Sequence, residues 1–327
     1  MAFLYYNMLC HVTIGSLATN SITSATCKES YTELSNVATV TLPREYNSVK
    51  INGRNETLER KNIRDIIKVG DPVTLSWGYD EAVFKVFEGY VKKISADIPL
   101  VIECEDEMFK LRKSSFNESF QSIKLLELLQ KIAPGYTYNV IDNIDLGKFM
   151  IANASAYQVL EALRKDYLMH ASFDGKILTV GFPIDLKPQN THTYNVNRLR
   201  SSSSLEFVSK DDFKLEIKAI SNNSDGTKEV VTVGESGGSV RTLNFANKSK
   251  TDLENLAKKQ LESTRFDGYQ GSFDAFGDQL VKVGDAVQLD DTNYPNSERA
   301  GKYLVESVER SFDEGGIKQT IKPSLKL

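Results

Sequence analysis

Two hydrophobic rhythms divide the chain into three parts. From the start to about residue 110, apolar and polar residues alternate in short runs, the period-two signature of strands with one buried face. "NVATVTLP" (Asn36 to Pro43) alternates and stops at a proline, which cannot donate to a sheet ladder. "DPVTLSWGY", "FKVFEGYVKKI" and "PLVIECED" read as further strands. "FLYYNMLCHVTI" is almost unbroken in its apolar character, which predicts a strand buried on both faces.

Between about 111 and 200 the period lengthens to that of helices. In "SFQSIKLLELLQKIAPGY", Ile123, Leu126, Leu129 and Ile132 fall on one helical face, and Pro134-Gly135 ends the pattern. "SAYQVLEALRKDYLMH" places Val159, Leu160, Leu163 and Tyr167 likewise, with Ser155 as N-cap. "ASFDGKILTVGF" then predicts a hairpin turning at Asp174-Gly175. A serine run in "RLRSSSSLEF", Ser201 to Ser204, buries no apolar surface and marks a linker or loop.

Strand character returns from Leu205 onward. "FKLEIKAI" and "EVVTV" flank a turn near Asp225-Gly226, and "GESGGS" reads as a flexible loop. One helix intervenes at about 251–266, where Thr251 and Glu254 have capping-box spacing and Leu253, Leu256, Ala257 and Leu261 share a face. The chain finishes in "GSFDAFGDQLVKVGDAVQLDD", "GKYLVESVERSF" and "GGIKQTIKPSL", all strand-like.

One phrase occurs twice. "VGDPVTL" begins at Val69 and "VGDAVQL" at Val283. Glycine permits a positive φ, aspartate can accept from nearby amides, and the following apolar residues two apart share one face of a strand. The phrase therefore encodes a tight turn that opens a half-buried strand. Each copy is followed by a glycine-led strand, at Gly89 and at Gly301. The duplication predicts two related small barrels, residues 1–110 and 201–327, separated by an α+β module at 111–200. The fold class is α+β, mainly β.

Bulk properties restrict the function. Of 327 residues 40% are hydrophobic and 26% charged, ordinary for a globular chain of two or three domains. A net charge of −4 argues against general or sequence-specific nucleic-acid binding. Cys10, Cys27 and Cys104 are odd in number and lack CxxC spacing, so no disulfide framework is expected. The N-terminus lacks the basic residues of a signal peptide, and no window approaches a membrane span of about 20 apolar residues.

No catalytic, cofactor-binding or metal-binding residue is assigned. The acidic run Glu103, Glu105, Asp106 and Glu107 could do acid–base or metal chemistry, but reads as a solvated strand face. The three histidines are scattered, and His170 reads as a favourable charge at a helix C-terminus. Acidic neighbours should raise the Cys104 pKa, unlike that of a nucleophile. Neither Asp71 nor Asp285 is a catalytic candidate, and no GxSxG, HExxH or P-loop is present. "DDTNYPNSE" lacks the order of a calcium loop.

In this order the motifs resemble baseplate hub proteins of contractile phage tails, the late-control D group, whose fold is also the hub part of type VI secretion spike proteins. The helix within Thr251 to Phe266, then "FGDQLVKVGDAVQL", then "AGKYLVESVERSF", is similar to the family's helix, L-x-x-G-D-x-V-x-L turn and Y-x-V-x-x-V strand. "CKESYTELSNVATVTLPREY" resembles its first hairpin, and "SAYQVLEALRKDY" its middle helix. The resemblance implies a homotrimer. Two tube-type barrels per subunit would make a pseudo-six-fold ring that joins a six-fold tail tube to a three-fold spike.

Other baseplate proteins would be further partners, in a virion tail assembled in the host cytoplasm. Because spike-bearing relatives continue into an OB-fold and a needle, a chain ending at Leu327 is expected to work with a separate spike protein. Two other readings compete. A glycan- or surface-binding tandem barrel would need export and exposed aromatics, whereas the one tryptophan, Trp77, lies in a predicted strand. A cell-wall-degrading tail component would need the 103–107 carboxylates in a groove.

Overall fold

The computed structural model describes residues 7–327 except 44–45, 47–48, 57–62, 96–98, 168, 183–186, 200–203, 212–213, 224–225, 247 and 294–298. Ser201 to Ser203 of the expected serine linker and Asp225 of the expected turn lie outside the described residues.

The fold is α+β and mainly β. Among the described residues, fourteen strands form one sheet. In the first part, the antiparallel order is Ser24–Ser30, Val37–Leu42, Leu100–Glu105, Ala82–Ile94, Pro72–Tyr79 and Met8–Ile14. In the last part, Phe273–Phe276, Gly316–Lys326, Gly301–Asp313 and Ala286–Asp290 pair antiparallel in sequence, and Thr191–Asn195 adds in parallel.

Ser24–Ser30 joins the two parts. It pairs with Val37–Leu42 on one side and with Ser307 to Phe312 on the other. The described strands therefore do not close into two separate barrels. The sheet edge that a closed first barrel would use is taken up by the second part, which leaves no open ladder at the junction.

The duplicated phrase corresponds to a duplicated topology. Val37–Leu42, Leu100–Glu105, Ala82–Ile94 and Pro72–Tyr79 have the same pairing order as Phe273–Phe276, Gly316–Lys326, Gly301–Asp313 and Ala286–Asp290. Alternation sets the burial in both. Val73, Leu75, Val91 and Ile102 fill the first core with Trp77; Val287, Leu289, Val305 and Ile321 fill the second with Tyr303 and Phe273. Phe312 and Ile317 of the second part enter the first core, where Phe312 lies 6.0 Å from Trp77 between ring centroids.

The middle part builds its own core on helices Leu125–Ile132 and Ala156–Tyr167, with strands Thr137–Val140, Ile177–Gly181 and His170–Asp174. Ser155 and Gln158 exchange a capping box: the Ser155 amide donates to Gln158 Oε1 (2.8 Å), and the Gln158 amide donates to Ser155 Oγ (3.3 Å). Leu215–Asn222, with antiparallel Lys228–Gly234 and parallel Ser239–Ala246, forms a separate sheet. This sheet and helix Lys250–Thr264 share the middle core through Ile217, Ala219, Leu243, Leu253 and Ala257.

Several expectations change. Met8–Ile14 is amphipathic rather than buried on both faces, with Cys10, Val12 and Ile14 inside and His11 and Thr13 outside. The long helix starts earlier than the Thr251–Glu254 box. Its cap is Ser249, whose Oγ accepts from the Asp252 amide (3.2 Å), while Glu254 pairs with Lys258 (2.7 Å) on the exposed side. The strand Ser239–Ala246 is not marked by the pattern, because Val240 and Leu243 of "SVRTLNFA" are three apart and break the alternation beside a glycine-rich loop.

Candidate functional site

The two turns match bond for bond. The Gly70 amide donates to Val91 O (2.8 Å), the Asp71 amide to Lys68 O (3.1 Å), and the Val91 amide to Asp71 O (2.9 Å). In the second copy the Gly284 amide donates to Val305 O (3.1 Å), the Asp285 amide to Lys282 O (3.1 Å), and the Val305 amide to Asp285 O (2.8 Å). Each aspartate also accepts from the amide three residues back, Lys68 (2.8 Å) and Lys282 (3.0 Å). The glycines hold φ +94° and +85°, a region that side chains disfavour.

Val91 and Val305 each follow their turn glycine by 21 residues. They are the equivalent positions, rather than Gly89 and Gly301. The second copy is the more heavily tied: Asp285 is buried and also meets Asn190 (3.3 Å) and His192 Nε2 (3.2 Å). Through these contacts it holds the Thr191–Asn195 strand against Ala286–Asp290.

The acidic run is not a solvated face. Glu105, Asp106 and Glu107 are all buried; Glu103 alone remains half-exposed. The strand ends at Glu105, so the period-two reading of the run fails beyond it. Glu105 accepts from Ser35 Oγ (2.6 Å) and pairs with Arg112 (2.9 Å) and Lys92 (3.4 Å). Burial alone would raise its carboxyl, but these hydrogen bonds and charges hold it below the usual range.

Glu107 binds across the junction of the first and middle parts. Lys176 (2.5 Å), Tyr136 (2.7 Å) and Tyr90 (2.9 Å) donate to it, and Lys110 lies at 3.5 Å. Against the opposing effect of burial, these partners hold its carboxyl low. Asp106 has only the Asn36 and Met108 amides (both 3.0 Å), and burial pushes it up to about 7. The three buried carboxylates of the run thus join elements of the fold. The sequence signal for this was the nearby basic and aromatic set of Tyr90, Lys110 and Arg112.

The other singled-out residues also occupy structural positions. His170 opens a strand instead of ending a helix, and burial pushes its imidazole down to about 4, so it carries no helix-capping charge. Cys10, Cys27 and Cys104 are free and buried. Burial first, then the Glu103 charge, raises the Cys104 thiol to about 12. Trp77 is 2% exposed and offers no ring to a glycan.

A cleft of about 890 Å³ where the three parts meet is lined by Tyr31, Asn36, Asn139, Asp174, Asn190 and Asp285 among others. Among the described residues, no group of three or more His, Cys, Asp or Glu side chains could hold a metal ion. None of the described helices is long and apolar enough to cross a membrane.

No protein-family model matches the chain, and no curated protein matches it in sequence. Solved structures do match it in fold over nearly its whole length. The tail protein from Neisseria meningitidis is 14% identical, with 98% of this chain and 97% of that one covered at a TM-score of 0.65. The 43 kDa tail protein of prophage MuSo2 from Shewanella oneidensis is 15% identical, with the same coverages and a TM-score of 0.61.

An Escherichia coli component of the type VI secretion system, itself structurally similar to tail proteins of bacteriophage T4, is 9% identical. There 95% of this chain and 76% of that one are covered, at a TM-score of 0.57. With its doubled turn-and-strand unit, its buried acidic junction and its full-length likeness to these structures, the chain has the fold that phage tail proteins share with a type VI secretion component.

Proposed function

We propose that this chain is the structural, non-catalytic hub of a contractile phage or prophage tail baseplate. Three copies assemble as a ring in which the two repeated units of each copy alternate, giving six similar units. One side of the ring meets a six-fold tail tube, and the other a separate three-fold spike and further baseplate proteins, within the virion tail. Residues 1–110 supply one tube-type barrel; within 201–327, the strands from Phe273 to Lys326 supply the other. The sheet and helix of 215–264 side with the middle module of 111–200, whose core they share.

The repeated unit carries this reading. One chain that makes the same turn, with the same hydrogen bonds and the same strand order twice, is suited to convert three-fold into six-fold contacts. Strand pairing between neighbouring units already occurs inside the chain, where Ser24–Ser30 meets Ser307 to Phe312. The barrels are completed by such neighbours in the ring. Light scattering or native mass spectrometry, with and without a spike partner, tests the reading. The expected particle has three times the 36.6 kDa chain mass; a stable dimer sinks it.

A further inference from the structure

We propose that one ordered water molecule is a built-in part of the joint between the two repeated units, seated between Arg310 and Gln319. The proposal concerns the joint inside one chain and stands independently of the hub reading.

Arg310 and Gln319 are register partners on the antiparallel strands Gly301–Asp313 and Gly316–Lys326. Alternation turns both side chains inward, where they are 3% and 1% exposed. Most of their polar atoms are engaged. Arg310 Nη1 lies 3.1 Å from Glu29 Oε1 as an ion pair, and Nη2 donates to Glu29 Oε2 (3.2 Å) and to Val281 O. The Gln319 amide nitrogen donates to Phe276 O (3.0 Å) and lies 3.4 Å from Tyr194 Oη. Donation to a carbonyl fixes which end of the amide is the nitrogen, so Oε1 is directed elsewhere.

Besides the ion-paired Nη1, this pair contains two buried atoms that lack a hydrogen-bond partner among the described residues, Arg310 Nε and Gln319 Oε1. One is a donor and the other an acceptor. Both residues line the same cavity of about 10 Å³ between the units. Trp77, Phe84 and Val86 wall it from the first part, and Leu280 and Ile317 from the last. That volume is what one water needs.

The chemistry of the seat selects its occupant. An anion would accept from Nε but would meet the Gln319 oxygen and the Glu29 carboxylate. A cation would meet the guanidinium. An apolar group would leave both polar atoms unsatisfied, which is costly away from solvent. Water alone of these accepts from Nε and donates to Oε1 at once, and the cavity has room for nothing larger. The guanidinium is then held on three sides, by Glu29 of the first unit, by Val281 O and by the water. Such a fixed polar group sets the two units at one relative position, where apolar packing alone would tolerate sliding.

A crystal structure of the full chain, at a resolution that shows ordered solvent, tests the seat directly. It should show an isolated peak at about 2.7–3.2 Å from both Arg310 Nε and Gln319 Oε1. A direct bond between the two atoms, no peak, or a peak within reach of only one of them overturns the proposal.

In solution, oxygen-17 magnetic relaxation dispersion counts the waters that stay bound longer than the protein takes to tumble. The wild type should hold one more such water per chain than Gln319→Leu, which removes the acceptor and fills the seat. Gln319→Met, unbranched like glutamine, gives the same comparison where the leucine variant does not fold. An equal count in the wild type and a folded variant contradicts the proposal.

Discussion

Replacing the turn aspartates one at a time separates what the two copies share from what distinguishes them. Asp71→Ala removes one acceptor, from the Lys68 amide at 2.8 Å, at a half-exposed site where water can take its place. That should cost about 1 kcal/mol. Asp285→Ala removes the equivalent bond to the Lys282 amide at 3.0 Å, and also the contacts to Asn190 and His192. Asp285 is 4% exposed, so these partners are left partly unsatisfied, and the loss should be about 2–4 kcal/mol.

At about 2.1 cal/mol/K per residue, cooperative unfolding of a chain this long carries an entropy of roughly 0.7 kcal/mol/K. One kcal/mol then moves Tm by about 1.5 °C, so Asp71→Ala should lower it by about 1–2 °C and Asp285→Ala by about 3–6 °C. Differential scanning calorimetry gives both values, and urea unfolding checks that the cooperative unit is unchanged. Equal shifts, or a larger one for Asp71→Ala, would refute the idea that the second turn carries the added strand Thr191–Asn195.

Gly284→Val should destabilise by about 2 kcal/mol through its positive φ alone, because nothing lies within 4 Å of a Cβ placed there; unchanged urea midpoints would show the turn to be mistaken. Glu107→Leu leaves Lys176, Tyr136 and Tyr90 without their acceptor and should cost about 3–5 kcal/mol, whereas half-exposed Glu103→Gln should stay within about 0.5 kcal/mol, both read by urea unfolding. Asp106 and His170 oppose each other in pH. The folded Asp106 keeps a proton that the unfolded chain has lost between about pH 4 and 7, so its contribution falls as pH rises; the folded His170 lacks one that the unfolded chain holds between about pH 4 and 6.5, so its contribution rises. Their slopes largely cancel in the wild type at pH 5–6, and Asp106→Asn should uncover a rise of up to about 1.4 kcal/mol per pH unit, His170→Asn a fall of similar size, in urea midpoints across that range.

Much of the fold was legible because alternation and helical spacing are strong wherever one face is buried. Val37–Leu42, Pro72–Tyr79 and the helix at Ala156–Tyr167 follow directly from such patterns. The repeated phrase was legible too, since turn chemistry is local. What composition could not show was long-range pairing. Nothing local in Ser24–Ser30 says that it pairs with Ser307 to Phe312 instead of closing its own barrel. The burial of Glu105, Asp106 and Glu107 was hidden for the same reason: Ser35 and Lys176 are distant in sequence and reach the run only through the fold. The glycine-led match of Gly89 to Gly301 misled because the strands are extended differently around the equivalent valines, Val91 and Val305.

The central claim is that one chain supplies two equivalent ring units. Electron cryomicroscopy of the assembled particle, viewed down its axis, tests it most directly. The expected result is a three-fold particle whose turns at Gly70 and Gly284 lie at equal radius and are related by a rotation of about 60°. A two-fold dimer, or a three-fold ring with the two turns at different radii, would contradict it.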